Sequence, residues 1–328
     1  MRTTVANDAS TSQWVNQGSI NNRGLEFSLE AVPIATKDIE WIIGGNLSLN
    51  RNKIVDLGFS MDTDTIYLEE NVPSELRYYL GNNVAQSTYL RNPANVFIEG
   101  YPIGLFYGYK TDGIVQEGET GVPLEKNGEP RQPGQVRYVD MNGNGYIDEY
   151  DRTVIGDNNP DFTYGFKTSF KYKGFSLSLD FDGVYGKQVL YANLAQITDT
   201  GWMYCTNTLS SAYRDAWSTS NTGGAYPALN GGITQGERAF VSDRLIQDAS
   251  YLRLSSANLS YTWTFNKASK LFRRIQLGVS GLNLLMLTDY PGWSPVVSSF
   301  GSSMTRIGVD VGSYPLARSY SMDVKFSF

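Results

Sequence analysis

The densest set of chemically capable side chains in this sequence lies in the twelve residues from Asp140 to Asp151. Asp140, Asn142, Asn144, Asp148 and Asp151 put oxygen donors at positions 1, 3, 5, 9 and 12. Gly145 stands at position 6, where the chain must turn sharply, and Tyr146 would offer its carbonyl at position 7. Ile147 supplies the apolar residue that follows. Ca²⁺ takes six to eight oxygens at about 2.3–2.6 Å, and this spacing can wrap them round one centre. The spacing therefore predicts a structural Ca²⁺ ion that orders the loop. Asn, Asp and Gly are also ordinary turn formers, so a metal-free turn is the competing reading. No regular helix is predicted on either side, so this is a loop motif rather than a full EF-hand.

A second pair, Asp180 and Asp182, lies two residues apart on one strand face. Such neighbours stand about 6.5–7 Å apart, a separation found in inverting glycosidases. Two solvated wall carboxylates are the plainer reading. Histidine is absent, which removes Ser-His-Asp and Cys-His catalysis and every His-based metal site. The single cysteine, Cys205, excludes an intramolecular disulfide or a Cys-cluster metal site. No G-x-S-x-G, P-loop or G-x-G-x-x-G segment occurs, so no catalytic or cofactor-binding residues are expected and the chain is read as a non-enzyme. A net charge of -6 argues against nucleic acid as a partner.

The elements that must carry these groups are strands. Tyr320, Met322, Val324, Phe326 and Phe328 alternate with Ser321, Asp323, Lys325 and Ser327. The same period of two returns in strand-sized pieces along the 328 residues. A first hairpin places Leu25, Phe27, Leu29 and Ala31 on one face, turns over 33–38, and returns through Ile39, Trp41, Ile43, Gly45, Leu47 and Leu49. A second joins 161–172 to 174–186, with Phe162, Tyr164, Phe166 and Phe170 followed by Phe175, Leu177, Leu179, Phe181 and Tyr185. A third joins 250–265 to 274–287 through the basic turn 267–274. Long polar connections span 55–98, 113–160, 188–249 and 288–312. Mean hydropathy is -0.31, but polar lumen-facing residues dilute that average in a barrel. No apolar run reaches the 18 or so residues of a membrane helix. Tyr, Phe and Trp number 22, 15 and 6, which suits interfacial girdles, although Trp41, Trp263 and the tyrosines could also stack sugars.

Dyad alternation with tight turns and long polar loops is the signature of an antiparallel transmembrane β-barrel. If the tight turns lie inside, strands near 24–34, 39–50, 161–172, 174–186, 250–265, 274–287 and 314–328 alternate as seven crossings. The candidate strand 103–114 falls outside this count and is placed in the outer loop or the lumen mouth. A complete bacterial barrel has an even number of strands, eight or more. The expectation is thus an open curved sheet of about seven strands, incomplete without N-terminal strands. Residues 113–160 form an extracellular loop with the calcium-type motif. Met1–Ser12 lack a basic region and an apolar region, so no signal peptide is read there. The competing architecture is a soluble β-sandwich or β-solenoid whose apolar faces pack on each other. Leu25, Trp41, Phe166, Phe181, Trp263 and Phe326 decide between them, because a barrel puts all six on one outer face.

Several segments together resemble the C-terminal barrel region of SusC/RagA-type TonB-dependent outer-membrane transporters. They are Asn22–Glu30, Gly100–Tyr109 with Asp112–Ile114, Gly134–Asp140, Asp151–Gly156, Asn159–Phe166, Tyr172–Leu177, Ala249–Leu254 and the final aromatic strand. They cover nearly the whole chain in order. The resemblance implies a 22-stranded plugged barrel in the outer membrane of a Gram-negative bacterium. It implies a SusD-like surface lipoprotein as cap, TonB acting through the missing plug, outer-membrane lipid around the wall, and a glycan or peptide as substrate. The alternative is a secreted or surface calcium-dependent carbohydrate-binding adhesin, with a glycosidase third.

Overall fold

A computed structural model describes residues 2–3, 13–14, 18–58, 63–85, 89–199, 207–229, 231–265, 273–296 and 298–328. Its largest element is one antiparallel sheet of seven strands. In chain order these are β1 (Ser19–Ala35), β2 (Ile39–Asp56), β3 (Phe162–Tyr172), β4 (Phe175–Tyr185), β5 (Tyr251–Thr264), β6 (Arg274–Leu287) and β7 (Ser319–Ser327). Each pairs with its sequence neighbour, so the sheet is a pure meander with β1 and β7 at its edges. All seven predicted strands are present in the predicted order. Segment 103–114 lies outside the sheet, as its parity required. Much of the predicted basic turn 267–274 falls outside the described residues, as do Cys205 and most of Met1–Ser12.

Boundaries differ from the pattern in three places. β1 begins at Ser19 and runs through Ala35, with a register shift between Ala31 and Ile34. β2 continues to Asp56. β7 starts only at Ser319, because Pro315 cannot donate to a ladder and the stretch before it is irregular.

Register explains what the sheet is for. Ile34 stands opposite Trp41, Trp41 opposite Phe170, Phe170 opposite Leu177, Leu177 opposite Leu259, Leu259 opposite Val279, and Val279 opposite Met322. Directly opposed residues share a face, so this apolar row crosses all seven strands. One residue along, Glu40, Lys171, Ser176, Ser260, Gly278 and Asp323 make the matching polar row on the other face. The apolar face is uncovered: Leu29 is 75% exposed, Met322 68% and Phe326 50%. All six deciding residues lie on that face, and among the described residues no second sheet packs on it. The sandwich architecture is therefore ruled out.

The polar face is held by short-range pairs. Lys171 Nζ donates to Glu40 at 2.7 Å, and Lys167 pairs with Glu30 two strands away. That second pair needs Gly44 between them, since a Cβ there would sit 2.5 Å from the Lys167 stem. Both pairs are half exposed, so they contribute little stability.

Tight turns lie at one rim. Thr36–Asp38 joins β1 to β2, with the Thr36 amide donating to Ile39 O at 2.7 Å. Lys173 and Gly174 join β3 to β4. The other rim carries three insertions: 57–161, 186–250 and 288–318. Their described residues are folded structure, where the sequence showed only long polar connections. A four-stranded sheet orders Arg152–Asp157, Leu105–Tyr109, Asn95–Ile98 and Tyr78–Leu80. Gln188–Tyr191 pairs with Ile246–Asp248 and, in parallel, with Val309–Asp310. The main core joins Val84, Leu90, Ala94 and Phe106 from the first insertion to Leu190, Ala192, Val241 and Leu245 from the second and Val309 from the third. The buried apolar core thus sits in the loop body, above a sheet whose apolar face is bare.

Candidate functional site

The motif from Asp140 to Asp151 lies in the first insertion between the short strands Val136–Tyr138 and Arg152–Asp157. Asp140 closes the turn: its Oδ1 accepts from Gly143 N at 2.8 Å and its Oδ2 from Gly145 N at 2.7 Å. Gly145 adopts φ +87°, a left-handed conformation that glycine takes without strain. Asn142 Oδ1 accepts from Asn144 N at 2.9 Å, and Asn144 Oδ1 from Tyr146 N at 2.8 Å. Ile147 anchors the loop in a small core with Tyr109, Val136 and Tyr138.

Asp148 caps a one-turn 3₁₀ helix over Glu149–Asp151, its Oδ1 accepting from Tyr150 N at 2.8 Å. Asp151 answers with Oδ2 accepting from Asp148 N at 2.6 Å, a reciprocal capping box. Its Oδ1 accepts from Met141 N at 2.8 Å. Asp151 is fully buried, and that burial pushes its carboxyl up to about 6 against the opposing pull of the two amide hydrogen bonds. Asp140, Asn142, Asn144 and Asp148 thus share one turn, while Asp151 faces backbone amides behind it. Among the described residues no three acidic groups converge as a metal cluster. Any cation here would draw on Asn oxygens and the Tyr146 carbonyl as well as carboxylates.

Asp180 and Asp182 lie on the polar face, each with its own partner. Asp182 accepts from Arg253 Nε at 3.1 Å and Nη2 at 2.9 Å, while Asp180 Oδ2 accepts from Ser256 Oγ at 2.6 Å. They are wall groups in a polar network, not an acid–base pair. Trp41 and Trp263 lie on the exposed apolar face. Trp41 Nε1 donates to Thr168 Oγ1 at 3.0 Å, and Trp263 stands edge-on to Tyr261 with centroids 4.6 Å apart. With Tyr172, Phe175 and Phe265 they band the turn rim, which fits an interfacial girdle better than a sugar platform.

Sequence reasoning missed a cavity of about 470 Å³ inside the loop body. Tyr138, Tyr226 and Phe240 line it, with Arg238 and Arg244. Asp199 holds its wall, accepting from Tyr89 Oη and from Arg238 Nε, each at 2.6 Å. Glu237 also lines the cavity and forms an ion pair with Arg131, the two side chains only 3% and 2% exposed. These residues come from distant parts of two insertions, so no local pattern announces them.

The order of strands, the bare apolar face and the one-sided loop body have counterparts among known proteins. A scan against protein-family models finds no match. The chain is 32% identical over 323 residues to TonB-dependent receptor P3 of Formosa agariphila, and the match covers 97% of the chain. It is 28% identical over 320 residues to TonB-dependent receptor SusC of Bacteroides thetaiotaomicron. The chain is thus similar to TonB-dependent receptors, SusC among them. It spans 30% of the length of the first receptor and 27% of the second. Among solved structures, the RagAB peptide importer in its open-open state superposes on the whole chain with a TM-score of 0.72, at 22% identity and covering 31% of that chain. The RagAB peptide transporter matches with a TM-score of 0.70 over 97% of the chain. The fold is therefore that of a segment of a TonB-dependent transporter barrel. These receptors are named as receptors and transporters, none as an enzyme, in keeping with the non-enzymatic reading of the sequence.

Proposed function

We propose that this chain is the C-terminal wall and loop portion of an outer-membrane, TonB-dependent importer of glycans or oligopeptides in a Gram-negative bacterium. One observation carries the reading. The register sets an unbroken, uncovered apolar face against a polar face across all seven strands. In water such a face would be an association liability; in lipid it is the required outer surface. β2 has outward apolar positions from Ile39 to Leu49, about 33 Å of strand, which a tilt near 40° brings to roughly the apolar height of such barrels. The loop body then lies on the outer side, positioned to meet a SusD-like lipoprotein, and TonB would act through the plug region of the parent.

Cysteine accessibility tests the wall directly. In lipid bilayers, cysteines replacing Leu29 and Met322 should resist a water-soluble maleimide, while cysteines replacing Ser28 and Ser321 should react in a Cys205→Ser background. Equal labelling of both pairs would overturn the reading. Loss of substrate uptake on deleting the parent gene, and co-purification with a SusD-like lipoprotein, test the transport and partner parts.

The Ca²⁺ reading of the Asp140 loop belongs to the same proposal, as an ion that stiffens the outer loop. Position 1 closing on the position-6 amide, and the left-handed glycine there, support it. Calorimetry should find a dissociation constant near 10⁻⁴–10⁻³ M, typical of extracellular modules, that is lost in Asp140→Ala. No heat of binding in the parent chain would leave the loop as a metal-free turn.

A further inference from the structure

We propose that Arg23, Arg51 and Lys53 form a binding site for the phosphate groups of a phosphorylated lipid headgroup in the leaflet on the loop side. The inference rests on the lipid-facing reading of the sheet given above. The first hairpin projects past the rest of the sheet: the ladder between β2 and β3 ends at Ser48 opposite Thr163, while β2 runs on to Asp56. On its outward face the apolar positions stop at the opposed pair Leu25 and Leu49. Two residues further, on the same face, Arg23 stands directly opposite Arg51, and Lys53 follows opposite Asn21. All three are exposed.

Directly opposed side chains in a ladder lie about 4.5–5.5 Å apart at Cβ, and like charges so placed repel. The protein supplies one nearby carboxylate. Asp161 takes Arg51 at 3.4 Å, and Arg51 also donates to Pro160 O at 3.1 Å and Asp161 O at 3.0 Å. Among the described residues, Arg23 and Lys53 have neither an ion pair nor a hydrogen-bond partner. Three cations and one carboxylate remain on this patch of a chain whose net charge is -6.

Cations elsewhere on the sheet behave differently. Lys167 and Lys171 point to the polar face and are matched by Glu30 and Glu40. Among the described residues, unmatched cations share the lipid-facing side where the apolar rows end. That height is where hydrocarbon gives way to headgroups. An Arg fork binds phosphate bidentately, and the adjacent lysine adds a point charge, so one phosphate bridging Arg23 and Lys53 would relieve the repulsion.

The test reconstitutes the full chain in phosphatidylcholine nanodiscs doped with bisphosphorylated lipid A or its dephosphorylated form, and counts retained lipid by native mass spectrometry. Retention of the phosphorylated form alone is expected. The exposed double substitution Arg23→Gln with Lys53→Gln should weaken it about tenfold or more, since each cation near an anionic surface contributes substantially. The double substitution Lys167→Gln with Lys171→Gln, with the same loss of charge on the opposite face, should leave it unchanged. Equal retention of both lipids, or by the double variant, would overturn the site. Complete displacement by millimolar inorganic phosphate would reassign it to a free anion and overturn the lipid. A chain that enters no disc at all would sink the membrane reading and this site with it, a result separable from insertion without phosphate preference.

Discussion

The seven-stranded sheet and the loop body above it treat apolar side chains in opposite ways. In the loop body, Phe106, Leu190, Val241 and Val309 are fully buried, and Leu105–Tyr109 is buried along its whole length. In the sheet, Leu29, Met322 and Phe326 lie bare in orderly rows. One chain therefore follows two solvent rules. The loop body excludes water by packing on itself; the sheet pairs its backbone between neighbouring strands and leaves its apolar side chains uncovered, the arrangement an apolar solvent would call for.

Substitutions can break or sharpen that contrast. The largest effect is expected in the loop body, where Phe106→Ala should cost about 3–5 kcal/mol through lost transfer energy and a cavity. Limited proteolysis should then cut the three insertions while the sheet survives; equal resistance to the parent would mean that no packed core holds them. Next, Leu29→Arg should cost about 2–4 kcal/mol when refolding is measured in lipid vesicles, as at a bilayer midplane. The same change at a 75% exposed site of a water-facing sheet would fall within about 0.5 kcal/mol, so a small effect in lipid would collapse the distinction. The smallest effect belongs to the polar face. Lys171→Ala removes a half-exposed partner of Glu40 and should cost about 0–1 kcal/mol in the same refolding assay, less at high salt.

The sheet was legible in the sequence because its signal is local and repeats every second residue. The same property explains the boundary errors. Apolar alternation stops at Leu49, yet β2 continues through Arg51 and Lys53 to Asp56, because the strand outlasts the apolar layer it crosses. The loop body was not legible. Its strands are short, the central Leu105–Tyr109 is buried on both faces, and its core joins Val84, Leu190 and Val309 across more than a hundred residues at each step. The calcium-type loop was visible because all its donors lie within twelve residues. The Arg131–Glu237 pair and the Asp199–Arg238 wall of the cavity depend on tertiary placement alone.

The shared core of the three insertions also bears on time. Val309 completes a cluster begun at Val84, and six of the seven strands lie between the chain's start and that residue. Contacts so distant in sequence form late and slowly. The outer body can close only after nearly every strand has been laid down in order, so its closure would report that the wall beneath it has been threaded correctly. A misregistered strand would leave that cap unfinished and open to protease.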